Sequence, residues 1–324
     1  MHCDRKGSVI LSENTYDLKT AYWVLACVLI VNLIWIAKTR VTLEWLNLKG
    51  DVYAIALFAT LYLLVSKPSL LKTYPVTDRL TRDLLFGLIF LQCAWINMRI
   101  FNHLMMTMAL PWQDALLMKW DEALGFDWLG YFEFVHSRPW LISLQDCSYT
   151  SLTPLSVVTY VGLALLGFKK RAFFFVEIFF FTAVATAVLG ALFPAKAAVD
   201  WHMINVADYP NFRHLPGVYH LDHLDNLRMP SGEISLDPLR IPGLVTFPSF
   251  HTAAGIIMCA AVYRMWLFIP VTGYVILMIS ATPVFGSHYF IDLVAGTIIA
   301  TIFILRLRKL PRYRDVWGAD RWVD

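Results

Sequence analysis

Two histidines stand where polar sequence gives way to apolar sequence, and their neighbours suit them to chemistry. His251 lies in Thr246-Phe247-Pro248-Ser249-Phe250-His251-Thr252, and His288 in Gly286-Ser287-His288-Tyr289-Phe290-Ile291-Asp292. Asp292 follows His288 by four residues, a spacing that sets carboxylate and imidazole on one helix face. A carboxylate so placed holds one ring nitrogen protonated and leaves the other free to attack an electrophile. A second imidazole, titrating near neutrality, can exchange a proton with a leaving group. Pro248-Ser249 predicts a helix start, because Pro is tolerated in a first turn and Ser is favoured at the cap. Free main-chain N–H groups there, together with the helix dipole, attract an anion. That gives Ser249 and the main chain around Phe250 an anion-binding role, with a plain cap as the alternative. For either histidine alone, an interfacial, hydrogen-bonded ring is the simpler account; the pair together with Asp292 favours catalysis.

The elements that position these residues are membrane helices. Of 324 residues, 58% are apolar and 16% charged, and mean hydropathy is positive, which places the chain in a bilayer rather than in solution. A helix needs about 20 mainly apolar residues to cross a hydrocarbon core of about 30 Å. Eight runs qualify, near 20–37, 52–66, 84–104, 150–168, 172–194, 250–268, 269–286 and 288–306. The second is short and the fourth opens with Thr, Ser and Pro, so either is a span or a buried or interfacial helix. The expected fold is an all-α, polytopic membrane helix bundle of about 6–8 transmembrane helices. The first run lacks a small-residue cleavage site and is expected to be a retained helix rather than a signal peptide.

Basic residues orient the threading. Lys67, Lys72, Arg79 and Arg82 flank the second connection, Lys169-Lys170-Arg171 fill the fourth, Arg264 marks the sixth, and Arg306, Arg308, Lys309, Arg312 and Arg314 follow the last run. With eight spans these segments share one side, which the positive-inside rule makes cytoplasmic; Lys38, Arg40 and Lys49 in the first connection oppose it. Residues 105–149 and 195–249 then lie outside, and both histidines open spans from that face. Residues 1–149 form N-terminal membrane helices and an outer amphipathic segment. Residues 150–324 form a catalytic membrane core with an outer loop at 195–249 and a cytoplasmic tail at 307–324. The net charge of +3 is concentrated in the cytoplasmic segments and tail, and no nucleic-acid motif or repeat is present.

Pro248-Ser249-Phe250-His251 is similar to the second signature of the type 2 phosphatidic acid phosphatase superfamily, and His288 with Asp292 resembles its third. The likeness is strongest to the branch of inositol phosphorylceramide synthases and their bacterial relatives, where Phe often precedes the first histidine. Asp121-Glu122-Ala123-Leu124-Gly125-Phe126-Asp127-Trp128 also looks like a segment of that branch. Thr282 stands where the third signature usually carries Arg, as is common in the synthase-like branch. For the first signature, a Lys followed by Arg-Pro, Phe193-Pro194-Ala195-Lys196 is the nearest candidate.

The resemblance implies a six-helix phosphatase-like core. It also implies an integral-membrane lipid-phosphate phosphatase or phosphotransferase with a phosphohistidine intermediate and no cofactor or metal. The residues argue the same way. A phosphate ester repels anionic nucleophiles, so a neutral His288 oriented by Asp292 is suited to attack it, and His251 to protonate the leaving alkoxide. Water attack on the intermediate makes a phosphatase; attack by a lipid or polyol alcohol makes a phosphotransferase. The expected partners are a phospholipid or lipid-phosphate substrate, such an acceptor, and the membrane. The bacterial relatives point to a bacterial inner membrane with the site on its periplasmic face. A transporter or structural membrane protein with a degenerate site is the alternative, opposed by the intact His251, His288 and Asp292.

Among the outer-loop cations Lys196, Arg213, Arg228 and Arg240, Lys196 and Arg240 are the first candidates for phosphate contact, lying nearest a span boundary or a signature. His220-Leu221-Asp222-His223 offers a metal-ligand spacing, though a hydrogen-bonded loop is the simpler account. Asp121, Glu122 and Asp127 either order an acceptor's hydroxyls or belong to a plain amphipathic helix. Trp112, Trp120, Trp128 and Trp140 suit a membrane interface. Five scattered cysteines suggest neither a disulfide framework nor a metal site.

Overall fold

The computed structural model describes residues 18–66, 75–229, 232–238, 240 and 242–318. Lys67, Lys72 and residues 319–324 of the expected tail lie outside the described residues. In chain order the elements are α1 (Lys19–Lys38), β1 (Val41–Leu43), α2 (Lys49–Val65), α3 (Pro75–Met106), α4 (Asp114–Ala123), α5 (Trp128–His136), α6 (Pro139–Thr150), α7 (Leu152–Leu165), α8 (Lys169–Leu192), the single turn α9 (Ala198–Trp201), α10 (Leu221–Arg228), β2 (Ile234–Leu236), α11 (Phe250–Ala261), α12 (Phe268–Phe285) and α13 (Phe290–Leu307). Long apolar runs in a bilayer must satisfy their own main chain, and the helix does so within one segment. Among the described residues six helices are long and apolar enough to cross: α1, Trp45–Val65, Leu80–Met106, α8, α12 and α13. The fold is an all-α polytopic membrane bundle, and β structure among the described residues is limited to two three-residue strands.

The eight expected runs all become helices, with two adjustments. The second run gains length from a 3-10 turn, Trp45–Leu48, that leads into α2. The sixth stops at Ala261 rather than 268, so α11 rises only about 18 Å and falls short of a full crossing. Its terminal carbonyls need donors inside the bundle. Arg171, 3% exposed, donates to the Ala261 and Tyr263 carbonyls at 3.2 and 2.6 Å, and Trp317 Nε1 donates to Ala260 at 2.7 Å. A basic residue first counted as a topology signal therefore also ends a helix.

α8 is the most enclosed span and packs against α3, α7, α11 and α13; its Phe173, Phe174 and Phe175 are buried in the main apolar cluster. A carboxylate within a span requires partners. Glu177 of α8 has them in the tail, accepting from Arg312 Nη2 and Tyr313 Oη, each at 2.6 Å. The tail is thereby fastened to the end of the bundle opposite the histidines.

β1 and β2 pair in parallel, Val41 with Ile234 and Leu43 with Leu236, which puts the first and fifth connections on one side of the bundle. Arg40, which opposed the charge rule, sits there for a structural reason. Its guanidinium donates to the carbonyls of Asn226, Leu227, Met229 and Gly232, closing the C-terminus of α10.

Candidate active site

The turn between α12 and α13 carries the first histidine of the site. α12 ends at Phe285, and Ser287 takes a left-handed conformation, φ 52°, which a non-glycine residue keeps only when surrounding bonds hold it. Here α9 supplies them: Ala198 N–H donates to the Ser287 carbonyl at 2.9 Å and Val199 N–H to its Oγ at 2.8 Å. The turn delivers His288 to the bundle interior, 3% exposed. Its carbonyl accepts from the Trp128 indole at 3.0 Å.

Asp292, fully buried, accepts at one oxygen from His288 Nδ1 at 3.1 Å and from Tyr289 N–H at 2.9 Å. The second bond completes a capping box that starts α13, so the carboxylate that orients the imidazole is itself fixed by its helix. With Nδ1 engaged by Asp292, Nε2 is the ring nitrogen turned away from that carboxylate. Burial, and after it the neighbouring His251, pushes the His288 imidazole well below its ordinary range, which favours the neutral ring.

The second signature meets the third through the main chain. Ser249 caps α11, its Oγ accepting from Thr252 N–H at 3.4 Å and Thr252 Oγ1 at 3.1 Å, while its own N–H donates to the Asp292 carbonyl at 3.0 Å. The helices approach so closely that a Cβ on Gly296 would lie 2.4 Å from the Ser249 carbonyl oxygen. Phe250 turns its ring onto Phe179 of α8, 5.1 Å between centroids, leaving main-chain N–H groups in the first turn of α11. His251 stacks on Tyr149 of α6, 4.0 Å between centroids with a 10° interplanar angle.

Two buried carboxylates of α4, seven residues apart, hold the surrounding segments. Asp121 accepts from Phe290 and Ile291 N–H at 2.8 and 2.7 Å, the opening donors of α13. Asp114 accepts from Lys196 N–H at 3.0 Å, Ala197 N–H at 3.3 Å and Tyr289 Oη at 2.9 Å. Burial pushes both carboxyls up, and the N–H donors oppose it. Asp121 thus faces the protein interior rather than an acceptor at the interface. Asp127 caps α5 by accepting from Gly130 N–H at 2.8 Å. Trp128 also departs from the interfacial expectation: it is 1% exposed and stacks on His202. We expect Asp121→Ala to lose about 2–4 kcal/mol by leaving two buried N–H groups without acceptors; a thermal melt in detergent matching wild type would contradict the cap.

The expected cations are placed unevenly. The Lys196 main chain borders the site, its carbonyl accepting from Thr246 Oγ1 at 3.2 Å and pairing with His220 Nε2 at 3.0 Å. Its ammonium, however, is bound to Asp225 at 2.9 Å, a contact that raises its pKa. Arg240 does not join the site: its side chain is 88% exposed and faces Asp237 at 3.7 Å. Arg228 lies over Trp112, 3.6 Å from the ring centroid. His220 and His223 diverge, the first onto Lys196 and the second against the His103 ring at 5.0 Å. Among the described residues no three His, Cys, Asp or Glu side chains form a metal-holding group.

Asp114, Trp128, Tyr149 and Ser287 escaped sequence reasoning. A seven-residue spacing of two acids on a predicted amphipathic helix was the one available signal for Asp114.

The bundle, with a buried His–Asp pair at the end of its spans, is that of an integral membrane protein. A family model for the PAP2 superfamily matches residues 115–306, and the chain belongs to that superfamily. Its function is accordingly of the phosphatase or phosphotransferase type. No curated protein and no solved structure matches it.

Proposed function

We propose that the protein is a lipid-phosphate phosphotransferase or phosphatase working through a phosphohistidine. The observation that carries this is the contact of His288 Nδ1 with buried Asp292, beside a second histidine. His288 Nε2 attacks phosphorus and a P–N bond forms. The bond to the leaving oxygen breaks, and that oxygen takes a proton from His251. Water or an alcohol then attacks phosphorus, gives its proton to His251, and the P–N bond breaks. Asp292 keeps the Nδ1 proton in place and stabilises the charge gained by the ring. First-turn N–H groups around Ser249 and Phe250, with the Lys196 segment, are the proposed phosphate contacts. The catalytic unit in this account is residues 150–324, with α4 to α6 as its outer support.

Substrate enters sideways at headgroup depth, from the outer leaflet of a bacterial inner membrane. The pairing of β1 with β2 and the structural use of Arg40 support that sidedness, because they account for one of the three basic residues that oppose the charge pattern. In a cysteine-free background, a cysteine at Asp222 is expected to react with an impermeant reagent added to intact cells, and one at Arg314 to remain protected. The opposite labelling would move the reaction to the cytoplasmic leaflet.

Phosphatase and transferase outcomes share the intermediate and separate in one experiment. Purified protein is incubated with a panel of labelled phospholipids and lipid phosphates, with and without lipid and polyol alcohols. Release of phosphate or appearance of a new ester supports the proposal, and neither product from any substrate would contradict it. Activity is expected to survive chelators; reversible loss restored by one particular ion would contradict the metal-free mechanism.

A further inference from the structure

Transfer of a phosphoryl group requires donors for its non-bridging oxygens. The usual arginine of the third signature is absent: Thr282 occupies its position and turns its hydroxyl back to the Ile279 carbonyl at 2.8 Å. The Lys196 ammonium is bound to Asp225, and Arg240 lies out on the surface. One polar group that does reach both histidines is a phenol from α6.

A Cβ on Gly286 would lie 2.7 Å from His288 Cδ2 and 2.8 Å from Tyr149 Oη. The hydroxyl and the imidazole edge next to Nε2 therefore flank the same small space, kept open by glycine. The Tyr149 ring lies flat on His251, so one side chain spans the distance between proposed nucleophile and proposed acid. Its hydroxyl pairs with Tyr219 Oη at 3.2 Å. Tyr219 comes from the outer loop, with its ring against His220.

We infer that the Tyr149 hydroxyl donates to a non-bridging phosphoryl oxygen during transfer, accepting in turn from Tyr219, and so takes the place of the missing arginine. Donating to the phosphoryl oxygen while accepting from Tyr219 polarises the Tyr149 O–H, which strengthens its bond to the developing charge. This inference rests on the phosphohistidine mechanism proposed above and adds a catalytic residue to it.

The test uses orthovanadate, which adopts the five-coordinate geometry of a phosphoryl group in transfer, titrated calorimetrically into the full-length protein in detergent. Tyr149→Phe keeps the stack on His251 and removes only the hydroxyl. Its affinity for vanadate is expected to fall about 10-fold or more, the worth of one hydrogen bond to a charged group, with an unchanged thermal melt. Tyr219→Phe is expected to weaken binding less, by about 3-fold, because its effect passes through Tyr149. Affinity within 2-fold of wild type in Tyr149→Phe would overturn the hydroxyl's role and leave the histidine mechanism standing. If Tyr149→Phe does not melt cooperatively, Tyr219→Phe decides, and unaltered vanadate affinity there overturns the inference. Failure of wild-type protein to bind vanadate would remove the phosphohistidine mechanism and the inference with it.

Discussion

His288→Ala protein, folded and reconstituted in lipid, is expected to lose at least about 10,000-fold in kcat. The loss is large because the substitution removes the atom that forms the bond to phosphorus, and none of the polar groups described around it occupies the Nε2 position. Main-chain anchors survive the change, since the bonds from Trp128 and Ser287 that fix this turn use carbonyl and N–H groups of the main chain or side chains other than the imidazole. The variant should therefore melt close to wild type and still associate with lipid. Single-turnover measurements with the substrate identified from the phospholipid panel check this directly. Folded His288→Ala turning over within 10-fold of wild type would remove the nucleophile from the account.

Asp292→Asn is expected to cost about 1,000-fold or more in kcat with little change in KM. The atoms exchanged are nearly the same size, so packing is retained. One oxygen of Asp292 accepts from both His288 Nδ1 and Tyr289 N–H, and an amide can put only its oxygen or its NH2 there. With the amide oxygen in that place both bonds persist, but the negative charge that stabilises the charged ring is gone. With the NH2 there Nδ1 has to accept, the ring proton moves to Nε2, and the lone pair needed for attack is lost. A purely structural role for Asp292 would instead lower the melting temperature and leave per-molecule turnover intact. That combination, measured by calorimetry alongside kcat on the same preparation, would contradict the orienting role.

What the sequence makes legible is local. The four-residue step from His288 to Asp292 needs only helical periodicity to predict a contact, and the apolar runs need only the bilayer's thickness. Ser249 as a helix cap follows from residue type and from the run behind it. The rest of the site is long-range. Asp121 and Asp114 reach α13 and the Lys196 segment across more than 80 residues of chain, and an acid on an amphipathic helix carries no mark that tells a solvated face from a buried cap. Trp128 shares its type with the interfacial tryptophans, yet its indole N–H serves the His288 carbonyl.

Charged residues have uses that a count by side of the membrane does not show. Arg40, Arg171 and Arg312 enter that count, and each also has a partner: the α10 carbonyls, the end of α11, and Glu177. Ranking Arg240 by its nearness in sequence to His251 fails because the non-helical stretch 242–249 precedes α11, and the Arg240 side chain lies out at the surface. Tyr149 had no signal at all, since its place between two histidines exists only once α6 packs against α12.

The most direct test of the central claim is to trap the intermediate. Wild-type protein is mixed for milliseconds with a radiolabelled lipid phosphate, quenched in alkali, and digested. A phosphohistidine survives alkali and is lost in acid, so the account predicts an alkali-stable, acid-labile label on the peptide containing His288. Turnover without any protein-bound phosphate under these conditions, or a label on a peptide lacking His288, would contradict it.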